Sequence, residues 1–274
     1  MGDTYFPIKS IGGIDMFIEE RHQEILNIIK DKGRISIGEI QEKFDVSVDS
    51  ARRDLRILEE KGLLKRTHGG AIPIMQVGLP LPQKWDASKM TVLDNYDAIA
   101  KKAVEFIKPN DAVYITSGSV GYLMLKYLPT DIEYTVVTNS VDNAYYLKNS
   151  GNISVYLVGG KMRPNGRIVD SFAQEFVRNM RFDVSFLTGA GFAADFGISN
   201  GTPETSAFQR VIAENTRKNI ALFPHQKIGF HSFLKDVDAK KFDMLITDWD
   251  AVEEELSKFQ ELGIDVIVVE KEVE

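Results

Sequence analysis

The sequence predicts two domains of different class, a small helical domain followed by an α/β domain with a mostly parallel sheet. Its 274 residues are enough for two domains, and 43% of them are hydrophobic. In residues 19–60, apolar residues recur at intervals of three and four, as on one face of a helix. From residue 94 onward, short apolar runs alternate with amphipathic helices. A stretch with Pro80 and Pro82 and no period separates the two patterns. We therefore expect an extension at 1–15, a helical domain at 16–73, a linker at 74–90 and an α/β domain at 91–274.

Composition excludes several classes of protein. The chain has no cysteine, which excludes disulfides and thiolate metal sites and fits a reducing, cytoplasmic location. No apolar run approaches the roughly 18 residues of a membrane span, and residues 1–15 lack the pattern of a secretory signal, leaving Met1 and Met16 both open as the natural start. The net charge of −7 argues against coating of nucleic acid by the whole chain.

Two helices are predicted at the start of the first domain. Residues 19–32 form an amphipathic helix, on which His22 is expected at the surface or in an interface rather than as a metal ligand. Ser36 and Glu39 have the spacing of a capping box and predict the start of a second helix. Its apolar contacts are Ile40 and Phe44.

A third helix is predicted between Ser47, a good N-cap, and Gly62, which takes a positive φ at low cost. One face of this helix is apolar and the opposite face is rich in arginine. The apolar residues are Ala51, Leu55 and Leu58, and the polar ones are Asp49, Arg52, Arg53 and Arg56. Arginine forks match phosphates and the major-groove edge of guanine, so this helix suits insertion into DNA.

The residues after Gly62 predict a basic wing, with a strand at 63–66 and a tight turn at 68–70. Three short helices followed by such a wing make a winged helix-turn-helix. We expect double-stranded DNA to be contacted by Ser47, Asp49, Ser50, Arg52, Arg53, Arg56, Lys65, Arg66, His68 and Gly69.

The second domain is predicted to be a mostly parallel sheet covered on both faces, because its strands are short and continuously apolar. Residues 188–201 are expected to form a glycine-rich loop. Ligands of such sheets bind at the carboxyl ends of the strands. The loops there carry small residues whose amides and hydroxyls suit phosphate oxygens. The candidates are Ser117, Gly118, Ser119, Thr138, Asn139, Ser140, Gly159, Gly160, Gly189 and Gly191.

Both halves resemble the DeoR-type family of bacterial transcriptional repressors. The resemblance depends on Arg52-Arg53-Asp54-Leu55 with His68-Gly69-Gly70-Ala71, and on Ser117-Gly118-Ser119, Gly189-Ala190-Gly191 and Ile246-Thr247-Asp248. It implies a sensor domain similar to ribose-5-phosphate isomerase and to CoA-transferase-like folds. It also implies phosphate binding at 117–119, sugar hydroxyls at Glu204 and the anionic part of an effector at Lys227.

Three departures from the family pattern stand out. Ser50-Ala51 replaces the usual Thr-Ile, which predicts an altered operator sequence. Val120 replaces a threonine and loses a hydroxyl, and Pro224 and Gln226 stand where the family tends to have Asp and Ser before the lysine. These changes predict a different or more weakly bound effector.

Two hypotheses follow. The first is a homo-oligomeric repressor, dimer or tetramer, that binds an operator under control of a phosphorylated sugar and has no catalytic residue, cofactor or metal site. The alternative is a sugar-phosphate isomerase or deaminase with a DNA-binding head, for which Glu204 is a candidate base but no second carboxylate at the same sheet edge is evident. No P-loop or dinucleotide fingerprint is present, and His225 and His231 lack a third clustered ligand.

Overall fold

A computed structural model describes residues 18–32, 34–67, 69–73 and 94–271. The expected extension at 1–15 and linker at 74–90 lie outside these described residues, as does His68. The chain divides into two compact units, Met1–Gln76 and Val77–Glu274. Within the described residues, no helix has both the length and the apolar character needed to cross a bilayer.

The first unit contains three helices and a small antiparallel sheet. The helices are α1 (Ile18–Lys32), α2 (Ile37–Phe44) and α3 (Val48–Glu60), and the strands are β1 (Ile35–Ser36), β2 (Leu64–Thr67) and β3 (Gly70–Pro73), in the order β1-β3-β2. This is the predicted winged helix-turn-helix; β2 overlaps the predicted strand at 63–66, whereas β3, which follows the predicted turn, was not predicted. A Cβ at Gly70 would lie 2.0 Å from the carbonyl oxygen of Ile35, so the pairing of β1 with β3 requires glycine there.

Local sequence and packing hold this unit together. The Ser36 hydroxyl accepts from the Glu39 amide at 3.1 Å, and the Glu39 carboxylate accepts from the Ser36 amide at 2.8 Å, which confirms the capping box. Ile40 and Phe44 of α2 join a core to which α1, α3 and the strands also contribute. The apolar face of α3 is buried in that core.

The second unit is built on a seven-stranded sheet in the order β13-β12-β10-β7-β4-β5-β6, with every neighbouring pair parallel. Its strands are β4 (Ala112–Ile115), β5 (Tyr134–Thr138), β6 (Ile153–Leu157), β7 (Phe182–Leu187), β10 (Thr216–Leu222), β12 (Met244–Asp248) and β13 (Asp265–Val269). The predicted parallel α/β architecture is therefore confirmed.

Helices cover both faces of this sheet. They are α4 (Asp94–Ala103), α5 (Ser119–Met124), α6 (Val141–Leu147), α7 (Ser171–Arg178), α8 (Pro203–Glu214) and α9 (Glu253–Glu261). Along β4, Val113 and Ile115 join one apolar cluster with α4 and α5, whereas Tyr114 joins a second cluster with α7, α8 and α9. Successive side chains of β4 therefore enter two different buried faces, which explains why this strand is apolar throughout.

The expected loop at 188–201 is the main error of the sequence prediction. It contains β8 (Gly191–Ala193) and β9 (Gly197–Asn200), which form a second, antiparallel sheet with β11 (Leu234–Val237). Phe192 and Ile198 are fully buried, and the ring of Phe192 packs 5.1 Å from that of Phe223. These strands depend on tertiary packing, because three and four residues with glycine at their ends carry little strand signal of their own.

Candidate nucleic-acid interface and anion site

Helix α3 is fixed at both ends by the residues that the sequence singled out. The Ser47 hydroxyl accepts from the Ser50 amide at 3.2 Å. At the other end, Gly62 has a φ of 66°, its amide donates to Glu59 at 2.8 Å, and the Leu63 amide donates to Leu58 at 2.9 Å. These two bonds make a Schellman motif, which satisfies carbonyls at the end of the helix. The helix therefore presents its side chains from a defined backbone.

The exposed face of α3 carries three arginines. Arg52, Arg53 and Arg56 are exposed and recur at spacings of one helical turn beside the exposed Asp49. Among the described residues, none of the three guanidinium groups has a hydrogen bond or ion pair, and the same holds for the exposed Lys65 ammonium on β2. These groups are available to an external anion.

Arg66 has a different environment from Lys65. Its Nε lies 3.1 Å from Glu59 Oε2, and its backbone amide donates to Glu59 Oε1 at 2.8 Å. Arg66 therefore ties the wing to α3. At the tip of the wing, the exposed Gly69 accepts from the Ile37 amide at 2.8 Å, which ties the wing to α2 as well. His68 lies outside the described residues.

A buried charged cluster joins α1 to α3. Asp54 accepts from Arg21 Nε at 2.8 Å and from Arg21 Nη2 at 3.1 Å, and it lies 3.0 Å from His22 Nε2. All three side chains are buried. The expectation of a surface or interface His22 is thus wrong, because its ring supports Asp54 inside the unit. Sequence analysis missed this cluster, and the pairing spans more than thirty residues, so no local pattern shows it.

In the second unit, the loop after β4 retains free hydroxyls. Ser117 and Ser119 are half-buried, and no hydrogen bond of their side chains is found within the described part of the chain. Gly118 between them is buried, and a Cβ there would lie 2.8 Å from Thr188, so the loops after β4 and β7 are adjacent. This is the close approach expected at the carboxyl edge of a parallel sheet.

The loop after β5 is different, because its polar atoms already have partners. Thr138, Asn139 and Ser140 are buried. Thr138 Oγ1 accepts from the Ser140 amide at 3.2 Å, Asn139 accepts from the Tyr114 hydroxyl at 2.9 Å, and Ser140 caps α6 at the Asn143 amide, also at 3.2 Å. These contacts favour a role for all three side chains in the scaffold of the edge rather than in direct binding.

Asp170 organises the loop after β6. Its carboxylate accepts from the Lys161 amide at 3.0 Å and caps α7 at the Ala173 amide at 3.1 Å. Gly159 and Gly160 precede this contact and are exposed. Their backbone is thereby held at the edge of the sheet next to the segment that ends at Arg167.

Lys227 is a half-buried cation at the same edge. Its Nζ donates to the carbonyl oxygen of Gly189 at 3.2 Å and lies 5.9 Å from the centre of the Tyr96 ring. Burial of the ammonium group lowers the pKa of Lys227 to about 8, and the charge of Arg167 lowers it further. Gly191, the other glycine predicted in this loop, is buried in β8 against the Phe230 carbonyl.

Arg167 is the residue of this edge that sequence analysis missed. It forms an antiparallel bridge with Ser140, which places it beside the end of β5. Its side chain is half-buried, and burial lowers the pKa of the guanidinium. Within the described residues that guanidinium has no hydrogen bond or ion pair. A cation that loses water and gains no carboxylate is costly, and such groups mark functional sites.

Glu204 stands at the start of α8 and is engaged by a basic residue. Its Oε2 accepts from Arg163 Nη2 at 3.0 Å, and Arg163 Nη1 also donates to Thr202 at 3.3 Å. The pair links the loop after β6 to α8. The carboxylate predicted to bind sugar hydroxyls therefore already holds a guanidinium.

His225 and Asp248 form a second tight pair. His225 Nδ1 lies 2.6 Å from Asp248 Oδ1, and the His225 amide donates to Asp248 Oδ2 at 2.8 Å. Burial raises the pKa of Asp248, but hydrogen bonds from His225 and backbone amides outweigh it and hold that pKa below its usual value. His225, Asp248 and Asp250 each offer one atom that could bind a metal ion, and these three atoms lie within 4.8 Å of one another. His231, the other histidine considered, pairs instead with Asp195 at 2.9 Å.

A cleft of about 390 Å³ lies at the other end of the sheet. It is lined by residues at the amino-terminal ends of β7 and β10, among them Phe182, Asp183 and Thr216. Ligands of parallel sheets bind at the carboxyl ends of the strands, where Lys227 lies. This cleft is at the amino-terminal ends and is therefore a separate feature.

Comparisons with known proteins match both halves of the chain. The model of the DeoR-like helix-turn-helix domain matches residues 21–77, and that of the DeoR C terminal sensor domain matches residues 93–249. The HTH-type transcriptional regulator GolR of Listeria innocua is 29% identical over 93% of this chain and 100% of that protein. The glycerol-3-phosphate regulon repressor of Escherichia coli is 28% identical over 84% of this chain and 90% of that protein. Among solved structures, ribose 5 phosphate isomerase A from Neisseria gonorrhoeae aligns at 18% identity and a TM-score of 0.37, over 50% of this chain and 55% of that one.

Proposed function

The chain belongs to the DeoR family of DNA-binding transcriptional regulators, and on that premise we propose that it represses a sugar-metabolism operon under control of a phosphorylated sugar or a related anionic metabolite. The relatives named above include a repressor of a glycerol-3-phosphate regulon, which supports an effector of this chemical class. DNA is bound by the first unit and the effector by the carboxyl edge of the sheet in the second.

The observation that carries the DNA assignment is the face of α3 with three unpaired arginines. A guanidinium without an internal carboxylate binds phosphate or a guanine edge without first breaking an ion pair. We assign base contacts to the exposed side of α3 and backbone contacts to the wing. Base contacts come from Asp49, Ser50, Arg52, Arg53 and Arg56, and backbone contacts from Lys65, His68 and Gly69.

Ser47 and Arg66 support this surface. The Ser47 hydroxyl is used as the cap of α3, and the Arg66 guanidinium is used by Glu59. Their replacement is expected to weaken DNA binding by moving the helix or the wing. Because one head contacts few base pairs, binding to a specific operator requires at least a dimer on paired half-sites.

The observation that carries the effector assignment is the pair of unneutralised cations, Lys227 and Arg167. Their charges influence each other, and neither has a carboxylate partner among the described residues. An anion at this edge would offset the repulsion between them. The hydroxyls of Ser117 and Ser119 and the backbone at 159–160 and 189 supply further hydrogen bonds, whereas Thr138, Asn139 and Ser140 keep the edge in shape.

The effector assignment is tested by a thermal-shift screen of the full chain. We expect sugar phosphates to raise the melting temperature by mass action, and the matching unphosphorylated sugars and inorganic phosphate to do so much less. The absence of a shift with every phosphorylated sugar at millimolar concentration would contradict the assignment. Binding to duplexes selected from a random library, followed by fluorescence anisotropy, tests the DNA assignment independently.

We propose further that the chain is not an enzyme. Glu204, the candidate base, accepts from Arg163 at 3.0 Å, so its carboxylate is already engaged by a guanidinium of the same chain. Incubation of the full chain with pentose and hexose phosphates is expected to give no product. Turnover that is lost in Glu204→Gln would instead support the isomerase or deaminase alternative.

A further inference from the structure

One edge of the seven-stranded sheet is apolar and exposed. Within the described residues, seven large apolar side chains that lie between positions 145 and 176 are exposed to solvent. They come from α6, from strand β6, from the loop that follows it and from α7, and we call them the β6 edge patch. They are Tyr145, Tyr146, Tyr156, Leu157, Met162, Phe172 and Phe176. A group of exposed apolar side chains along one edge of a folded domain indicates an interaction site.

The strand at the centre of this patch has free backbone groups. The Val158 amide donates to Thr138 at 2.9 Å and the Asn152 carbonyl accepts from Tyr134 at 3.3 Å, so these residues face β5. Because successive residues of a strand alternate in direction, Val155 and Leu157 direct their N–H and C=O groups away from β5. No strand of the described chain lies on that side.

The strand also lacks the features that keep sheet edges apart. Its sequence, Ile-Ser-Val-Tyr-Leu, contains no charge and no proline. The opposite edge of the same sheet, β13, begins with the exposed Asp265 and is followed by the exposed Glu270 and Lys271. Charged residues of that kind repel a second edge, so β13 is protected and β6 is not.

We propose that the β6 edge patch is the docking surface for a second copy of this chain, with the two β6 strands paired in antiparallel orientation. A strand that meets its own copy across a twofold axis runs antiparallel to it, and any charge near the axis meets the same charge. The neutral sequence of β6 avoids that repulsion.

The flanks of the patch have the composition of an interface. An apolar centre surrounded by polar residues is typical of stable interfaces, which bury about 800 Å² on each partner. Here the rim includes Lys148, whose Nζ lies 3.8 Å from the centre of the Tyr145 ring, and the Arg178–Glu175 pair at 3.2 Å. Both signs of charge are present, so a twofold copy can match them.

Phe172 and Tyr145 identify the most exposed parts of the surface. They lie on α7 and α6 and are 77% and 69% exposed, respectively. Two such helices on opposite sides of one strand place apolar contacts on both faces of a continuous sheet. The proposal concerns self-association alone, so it does not depend on the identity of the DNA or the effector.

Sedimentation velocity of the full chain over a range of micromolar concentrations tests this proposal. Wild type is expected to sediment as a dimer or tetramer, and Leu157→Lys to halve that mass because each copy would then place a charge in the apolar interface. The matched control is Val268→Lys on β13, since Leu157 and Val268 are 38% and 44% exposed on the two edge strands. The control is expected to keep the wild-type mass.

A second pair of variants covers a possible folding defect of Leu157→Lys. Phe172→Ser removes a side chain that makes little contact within the chain, and Phe233→Ser removes one that is 52% exposed elsewhere. We expect Phe172→Ser to dissociate the assembly with an unchanged circular-dichroism spectrum, and Phe233→Ser to leave it intact. A wild-type chain that stays monomeric, or variants of the β6 edge patch that keep the wild-type mass while folded, would overturn the proposal.

Discussion

The two binding surfaces handle positive charge in opposite ways. On α3 the arginines are exposed, and water solvates them until DNA arrives. At the carboxyl edge of the large sheet, Lys227 and Arg167 are half-buried and have lost part of their water without gaining a carboxylate. Exposed cations cost little and give a salt-sensitive attraction for phosphates. Buried cations cost stability and favour an anion that fits between them. Under the proposed function, the same charge gives DNA affinity in one place and ligand selectivity in the other.

The largest expected effect concerns a third kind of charge, the buried and fully paired Asp54. Asp54→Ala leaves the buried Arg21 without a counter-ion and His22 without its partner, and removal of one member of a buried ion pair destabilises a domain by about 3 kcal/mol. Hydrogen exchange with mass spectrometry is expected to show faster exchange in α1 and α3 and unchanged exchange in the parallel sheet. Glu59→Ala, which breaks the exposed pair with Arg66, is the control and is expected to cost under about 1 kcal/mol. Equal effects of the two variants would contradict the structural role of the buried cluster.

Removal of the half-buried cations tests the second surface. Arg167→Ala and Lys227→Met are each expected to weaken binding of a sugar phosphate by about tenfold to a hundredfold, since a hydrogen bond to a charged group contributes about 1.5–3 kcal/mol. Isothermal titration calorimetry measures this loss. Lys161→Met removes an exposed lysine near the same edge and serves as the control. If the control variant loses as much affinity as the other two, then Arg167 and Lys227 act on the effector through long-range attraction rather than through direct contact.

The exposed surface is separated into base and backbone contacts by two further variants. Arg52→Ala is expected to cost about 1–3 kcal/mol on the preferred duplex and to relax base choice. Lys65→Ala is expected to weaken all duplexes alike and to reduce the slope of log affinity against log salt by about 1. Anisotropy at several salt concentrations measures both quantities. If both variants bind DNA with wild-type affinity, the assignment of α3 to the major groove is contradicted.

The smallest expected effect is a dependence of effector affinity on pH. The pKa of Lys227 is lowered to about 8 by burial, so its charge declines as the pH rises through 8. Binding of an anionic effector is expected to weaken severalfold between pH 7 and about pH 9, while the exposed arginines keep their charge over that range. In the absence of effector, the pH dependence of the free energy of unfolding has the opposite sign. The folded chain then binds fewer protons than the unfolded chain between about pH 8 and 10.5, so its stability rises with pH in that window. Lys227→Arg is expected to abolish the pH dependence, and its persistence there would contradict the assignment.

Local chemistry explains what the sequence could predict. The two ends of α3 depend on Ser47 and Gly62, and each acts on residues within four positions of itself. Central strands of the parallel sheet, such as β4 and β7, were visible because side chains on both of their faces are buried. By contrast, Asp54 acquires its role from residues on another helix, and Arg167 acquires its environment from a bridge to Ser140. Strand β8 was missed because Phe192 packs on aromatic rings from distant segments, and β9 and β11 were missed because they are held by antiparallel pairing within the same small sheet.

The bonds that tie the wing down have a consequence for regulation. Glu59 of α3 contacts Arg66 of the wing, and the Gly69 carbonyl of the wing accepts from the Ile37 amide of α2. The recognition helix and the wing therefore keep a fixed position relative to each other. A metabolite that acted by loosening the wing would have to break both ties. In a dimer, the distance between the two DNA-binding units, measured in base pairs along the operator, can change without breaking either contact. Inserting half a helical turn between half-sites should then mimic the ligand, and inserting a whole turn should not.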